Sequence, residues 1–273
     1  MRRAAVAGFF YKGEKEALEA QLEECFSGVT GEEGVNVLGA VVPHAGYMYS
    51  GGVAASVYAT LPAADTFVIL GPNHYNLGSL VAVSTDTWST PLGAVEVDRT
   101  FVDALPKRII DLDETAHMRE HSIEVQLPFL QFLFDKNFQI VPISMMHTID
   151  VQTAKEVGEE LTTALSVLEA REEKRSVVVL ASSDFTHYEP ERIAREKDSY
   201  VIEAIEELDV AKFYTRRYER NVSACGVGPI VAAMHAAKKR GAKEGKLIRY
   251  ATSGDVTGDR AEVVGYAGII LVR

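Results

Sequence analysis

A chain of 273 residues with 47% hydrophobic content is long enough to bury a sizeable core in one large α/β domain spanning residues 1–273. Its 39 acids against 28 bases give a net charge of −11, which repels phosphate backbones and anionic lipid, so nucleic-acid partners are not expected. Cys25 and Cys225 are too few for a disulfide scaffold, and no apolar run approaches the ~20 residues of a membrane helix, so a reduced, cytoplasmic protein away from membranes is expected.

Strand and helix patterns alternate along the chain. After Met1-Arg2-Arg3, the charges Lys12, Glu14, Lys15 and Glu16 interrupt the sequence before a secretory apolar region can form. Leu18, Leu22, Cys25 and Phe26 mark an amphipathic helix over 14–26, with Cys25 on its apolar stripe as a buried thiol. A strand over 35–42 leads to His44-Ala45-Gly46-Tyr47, and Gly51-Gly52 opens a helix through Leu61. The strand 66–70 ends in Gly71-Pro72-Asn73-His74, and shorter strands near 80–84 and 93–97 form an antiparallel excursion. A helix over 120–134 follows, with His117, His121 and Glu124 at or just before its start, then a strand over 138–143, a helix over 151–170 and a strand over 176–180. Helices over 190–208 and 229–240 and strands over 247–252 and 263–272 close the chain. Lys238-Lys239-Arg240 ends a helix, where cations complement the helix dipole. The Gly-rich turn over 253–259 lacks a phosphate-loop pattern and reads as a connection.

Three segments share one form: an apolar run, a turn, and a histidine or an acid-histidine pair. They end in Pro43-His44, Asn73-His74 and Asp184-Phe185-Thr186-His187. Ligands bind beyond the carboxyl ends of strands in open α/β sheets, so polar groups at such exits tend to converge. His44 and His74 are the first two candidate metal ligands, because neutral imidazole is the commonest metal-binding side chain. The alternative for this pair is hydrogen-bonded capping of strand ends. Cys225 precedes a helix that Pro229 can start, where the helix dipole favours the metal-binding thiolate, and the alternative is a buried thiol in a tight loop. Asp184 and His187 form a candidate proton-transfer pair, with the carboxylate fixing the imidazole, although Asp184 could instead cap a helix. His121 with Glu124 reads as a supporting pair. His117 and His121 are weak ligands because the Glu of an HExxH protease is missing, His147 is a spare candidate, and His235 on an Ala-rich helix is packing or solvent-exposed.

Arg3-Ala4-Ala5-Val6-Ala7-Gly8-Phe9-Phe10-Tyr11, Pro43-His44-Ala45-Gly46-Tyr47, Gly71-Pro72-Asn73-His74, the run Glu120-His121-Ser122-Ile123-Glu124 through Leu130, Ser182-Ser183-Asp184-Phe185-Thr186-His187 and Cys225-Gly226 together resemble the Memo (mediator of cell motility) family over nearly the whole chain. That family is similar in fold and pocket to the class III extradiol dioxygenases. The resemblance implies a single α/β domain with a central mixed, largely parallel sheet flanked by helices. It implies a metal on His44, His74 and Cys225, with Asp184 and His187 lining the same pocket. Where the dioxygenases hold iron(II) with a carboxylate this chain has Cys225, whose softer thiolate widens the metals from iron(II) to copper or zinc. The expected function is a metal-dependent, iron-type oxidoreductase acting on a small chelating substrate. The alternative is a non-catalytic metal- or peptide-binding or redox scaffold that reuses the pocket, and zinc hydrolysis is a third option.

Overall fold

The computed structural model describes residues 1–135 and 137–273. Along the chain run α1 (Lys15–Phe26), β1 (Val37–Val42), α2 (Tyr47–Tyr58), β2 (Thr66–Asn73), β3 (Val81–Val83), β4 (Trp88–Thr90), β5 (Gly93–Val95), α3 (Arg99–Ala104), β6 (Asp111–Leu112), α4 (Leu127–Phe134) and β7 (Gln139–Met146). The second half adds α5 (Val151–Ala170), β8 (Val177–Ser182), β9 (His187–Glu189), α6 (Glu191–Glu206), α7 (Val210–Glu219), α8 (Val227–Lys239), β10 (Glu244–Thr252), α9 (Gly254–Thr257) and β11 (Val263–Val272).

The main sheet has the order β10-β11-β1-β8-β2-β7-β3-β6, with β9 added on β11. Its centre, β1-β8-β2-β7, is parallel, and antiparallel β10-β11 and β3 flank it. This is the mixed, largely parallel α/β sheet that the family resemblance implies. Every residue of β1, β2 and β8 is buried, which is why these strands read as unbroken Val/Ile/Leu runs rather than alternating ones. Helix α8 packs on β8, β1 and β2, α5 packs on α8, and α2 and α6 cover β10 and β11. Among the described residues no helix is long and apolar enough to cross a membrane.

Several boundaries differ from the sequence pattern. Helix α2 begins at Tyr47, whose N–H bonds to the Phe10 carbonyl, so Gly51-Gly52 is internal to it. Strand β2 continues through Gly71-Pro72-Asn73, paired only with β7 after β8 leaves it at Leu70, and one-sided pairing accommodates Pro72. The helix expected over 120–134 starts only at Leu127, because Glu120 turns the preceding chain by accepting from the His121 and Ser122 N–H groups. The excursion expected from strands near 80–84 and 93–97 is divided, because β3 joins the main sheet on β7 while β5 pairs with β4. Strands β4, β6 and β9 and helices α3 and α7 go beyond the expected pattern, although Asp98 and Asp209 cap the two helices through the N–H of Phe101 and Lys212, and an Asp before such a turn is a readable start signal.

Candidate metal centre

His44 leaves β1 and His74 leaves β2, both at the carboxyl ends of the parallel strands. The chain from Glu120 to Ile123 crosses β2 at close quarters. A Cβ on Gly71 would lie 2.4 Å from Ser122 Oγ and 2.7 Å from Ile123 Cγ1, so only glycine lets this segment approach. That approach delivers His121 beside the other two. The ligand nitrogens of His44, His74 and His121 all lie within 4.8 Å of one another, close enough to serve a single ion. The rings of His74 and His121 stack with centroids 4.6 Å apart, and His44 stands edge-on to both.

The hydrogen-bond network fixes which nitrogens carry protons. Ser182 Oγ donates to the Ser122 carbonyl at 2.6 Å and accepts from Gln126 Nε2, so its 2.9 Å contact with His44 Nδ1 requires an N–H on that ring atom. Glu120, fully buried, accepts from His74 Nδ1 at 2.9 Å. Both rings are thereby held as tautomers whose Nε2 lone pairs are free to bind metal. Glu120 also accepts from the N–H groups of His74, His121 and Ser122. Burial alone would raise its pKa, but the hydrogen bonds from His74 and from the Ser122 N–H outweigh it and hold the carboxyl well below its usual range. Burial, reinforced by the other histidines, keeps His44 well below the ordinary histidine value. His121 is lowered to about 4, again chiefly by burial, with Glu120 opposing. Neutral imidazoles are the metal-binding form, so the donor set fits a transition-metal ion.

Cys225 reaches the same place from the loop before α8. A Cβ on Gly226 would lie 2.5 Å from the Ser182 carbonyl oxygen and 2.5 Å from Ser183 Cβ, so the close packing of the two loops depends on that glycine. The sulfur accepts from the Asp184 N–H at 3.2 Å and lies 3.1 Å from His44 Nε2. The helix dipole that favours thiolate is opposed here. Burial, then the Asp184 carboxylate, pushes the thiol up.

Asp184 accepts from the His44 N–H at 2.8 Å, and its Oδ2 is 4.0 Å from His44 Nε2. Burial raises it to about 6, against the hydrogen bond from His44. The structure provides no hydrogen bond between Asp184 and His187. His187 instead points Nδ1 at the Ser223 carbonyl, 3.1 Å away, which leaves Nε2 as an acceptor. Both residues nonetheless line, with His44, His74 and His121, one pocket of about 330 Å³.

Glu124 stands apart from this pocket. Its oxygens take the N–H groups of Ala5 and Val6, the Tyr11 hydroxyl and the Arg2 guanidinium, and His121 makes no hydrogen bond to it; Glu120 is the carboxylate beside that ring, 3.5 Å from its Nδ1. Glu120 is the functional residue that sequence reasoning missed, and its signal was the position next to His121 in the same motif. His147 touches the His74 ring at a centroid distance of 5.5 Å, whereas His117 is buried against Trp88 and His235 pairs with Glu159 at 2.7 Å.

Residues 2–270 match the model of the Memo-like protein family. The chain belongs to the Memo family. MEMO1 family proteins of Methanosarcina barkeri (strain Fusaro / DSM 804) and Archaeoglobus fulgidus are 54% and 52% identical to it over 271 and 270 residues, covering 99% of this chain and 100% and 99% of theirs. A MEMO1 family protein of Methanocaldococcus jannaschii is 46% identical over 289 residues, covering 99% of each. Among solved structures, the uncharacterized protein JW3007 from Escherichia coli K12 is similar with a TM-score of 0.55 and 12% identity over 86% of this chain and 100% of that one, a likeness of fold alone. In this Memo chain the motifs around His44, His74, His121 and His187, far apart in sequence, meet at one pocket.

Proposed function

We propose that this protein is a metal-dependent oxidoreductase in the cytoplasm, with iron(II) at His44 and His74 and a small chelating substrate in the adjoining pocket. The observation that carries this reading is the convergence of three imidazoles from distant segments within 4.8 Å, two with their Nε2 lone pairs set by buried partners. His121 and Cys225 are the further donors, and the soft sulfur also suits copper or zinc. Bound iron(II) would supply a place where a chelating substrate and dioxygen exchange electrons. The chain's own residues do the rest. Asp184, raised to about 6, holds or releases a proton near neutral pH beside His44. His187 accepts a substrate proton at Nε2 while its Nδ1–H is anchored on Ser223. Phe10 packs on His121 with centroids 4.7 Å apart and walls that side of the pocket.

Elemental analysis of tag-free protein, followed by oxygen uptake with catechol- and aminophenol-type chelators, tests the proposal. We expect stoichiometric metal that is lost in His44→Ala and His74→Ala, and uptake that those variants lack. Retained metal in both variants would refute the site, and absent uptake in iron-loaded protein would refute the activity.

A second reading, a metal- or peptide-binding scaffold without turnover, is supported by two exposed aromatic rings at the pocket mouth, Phe9 and Tyr188, 89% and 73% exposed. Peptide binding that disappears in Phe9→Ala while metal is retained would favour it.

A further inference from the structure

A second cavity, of about 80 Å³, shares no lining residue with the histidine pocket. Its wall nevertheless includes Cys225 and His147, which touch His44 and His74. The deep part is apolar, formed by the buried side chains of Met145, Ala154 and Val231 with Ile149 beside them. The mouth is polar, with Tyr214, Arg217 and Tyr218 from α7 and Asp150 at the start of α5.

Arg217 lies over the ring of Tyr218, 4.8 Å from its centroid. Its neighbour Arg216 pairs with Glu203 at 2.9 Å, whereas Arg217 enters no ion pair among the described residues and its fully buried Nε has no hydrogen-bond partner. The Asp150 carboxylate is occupied in capping α5 through the Thr153 N–H at 2.7 Å. The Tyr214 and Tyr218 hydroxyls bond to each other at 3.1 Å, which leaves one of their two hydrogens to donate. Buried donors without acceptors are rare in native proteins, and a guanidinium with an adjacent hydroxyl matches a carboxylate.

We propose that this cavity is a binding site for a small aliphatic monocarboxylate. The alkyl tail lies against Met145, Ala154 and Val231, and the carboxylate meets Arg217 and the free tyrosine hydrogen. One cation without an ion pair, with the Asp150 carboxylate at the same mouth, accommodates a single negative charge and disfavours a dianion. The site stands independently of metal at the histidines.

Butyrate is the probe, followed by methyl NMR of Ile149, Val151 and Val231 in wild type, Arg217→Met and Arg217→Lys, with butanol and butylamine as comparators. Saturable shifts are expected with butyrate, at least tenfold weaker in Arg217→Met and intermediate in Arg217→Lys, and the comparators bind at least tenfold more weakly than butyrate. Equal binding of butanol or butylamine, equal binding by Arg217→Met, or no shift with butyrate would each overturn the proposal.

Discussion

His74 Nδ1 lies 2.9 Å from Oε1 of Glu120, a carboxylate with no solvent exposure whose every partner in the site is an N–H donor. In Glu120→Gln the amide nitrogen must replace one acceptor oxygen, so at least one of these donors is left facing another donor. We expect a stability loss of about 1–3 kcal/mol from the unpaired group. Metal affinity should fall about 10–100-fold, because the carboxylate sets the His74 tautomer and its basicity. Competitive metal titration against a chromophoric chelator measures this, and unchanged affinity would show that Glu120 does not orient His74.

Gly226 governs the other side of the site. In Gly226→Ala the new methyl would meet the Ser182 carbonyl oxygen and Ser183 Cβ at 2.5 Å, and both belong to the segment that leads to Asp184. Overpacking of this kind costs about 1–3 kcal/mol, which in a chain of this size lowers the Tm by roughly 2–12 °C. The loop can relieve the clash only by withdrawing Cys225, so we expect the 3.1 Å contact between its sulfur and His44 Nε2 to be lost. Calorimetry combined with the rate of thiol labelling checks both effects, and a variant with wild-type Tm and labelling would contradict the packing argument.

The pH dependence of the metal-free protein follows from its buried histidines. Unfolded, His117 titrates near 6.5; folded, burial lowers it to about 4 despite the nearby Glu114. Above the unfolded value neither state is protonated and the residue contributes nothing. Between about 6.5 and about 4 the unfolded chain takes up a proton that the folded protein refuses, so stability falls as pH falls, by on the order of 3 kcal/mol for His117. His121 and His44, also lowered chiefly by burial, act in the same direction. Asp184 has the opposite sign: raised by burial to about 6, it protonates in the folded state first and returns some stability from about pH 6 downward, over most of that window. Asp198, also raised by burial, does likewise. His147 is lowered by burial as well, and four histidines against two carboxyls leave a net loss, readable as urea midpoints that fall between about pH 7 and about pH 4.5, with a shallower fall in His117→Gln. Equal midpoints across that range would refute it.

Much of this architecture was written in the chain. The buried centre of the sheet is legible because β1, β2 and β8 are continuous apolar runs, and the strand exits place His44, His74 and Asp184 at one end of the sheet. The segment from Glu120 to Gln126 was not legible. Its apolar spacing suits a helix, but the Glu120 carboxylate, the Ser122 hydroxyl bonded to the Pro72 carbonyl and the Arg2 contact with the Glu120 carbonyl are long-range bonds that no local period encodes. For the same reason the sequence pattern pairs His121 with Glu124, whereas the carboxylate beside that ring is Glu120, four residues earlier. The orientation of His187 by the Ser223 carbonyl is likewise a contact between distant loops.

Glu124 has a different task, and its removal separates the two readings of that residue. The buried Arg2–Glu124 pair, with the Ala5 and Val6 N–H groups and the Tyr11 hydroxyl on the same carboxylate, holds the N-terminal segment that carries Phe9 and Phe10 over the pocket. Breaking a buried pair of this kind by removing one partner costs about 3–5 kcal/mol, because the other charge remains buried. We therefore expect Glu124→Ala to expose residues 1–12 to limited proteolysis and faster amide exchange, and Glu124→Ala combined with Arg2→Met to recover part of the lost stability. Metal content should stay at the wild-type level, because His44, His74 and His121 are held by Ser182 and Glu120 rather than by Glu124. Loss of metal with an intact, protease-resistant N-terminus would reverse the assignment and return Glu124 to the support of His121.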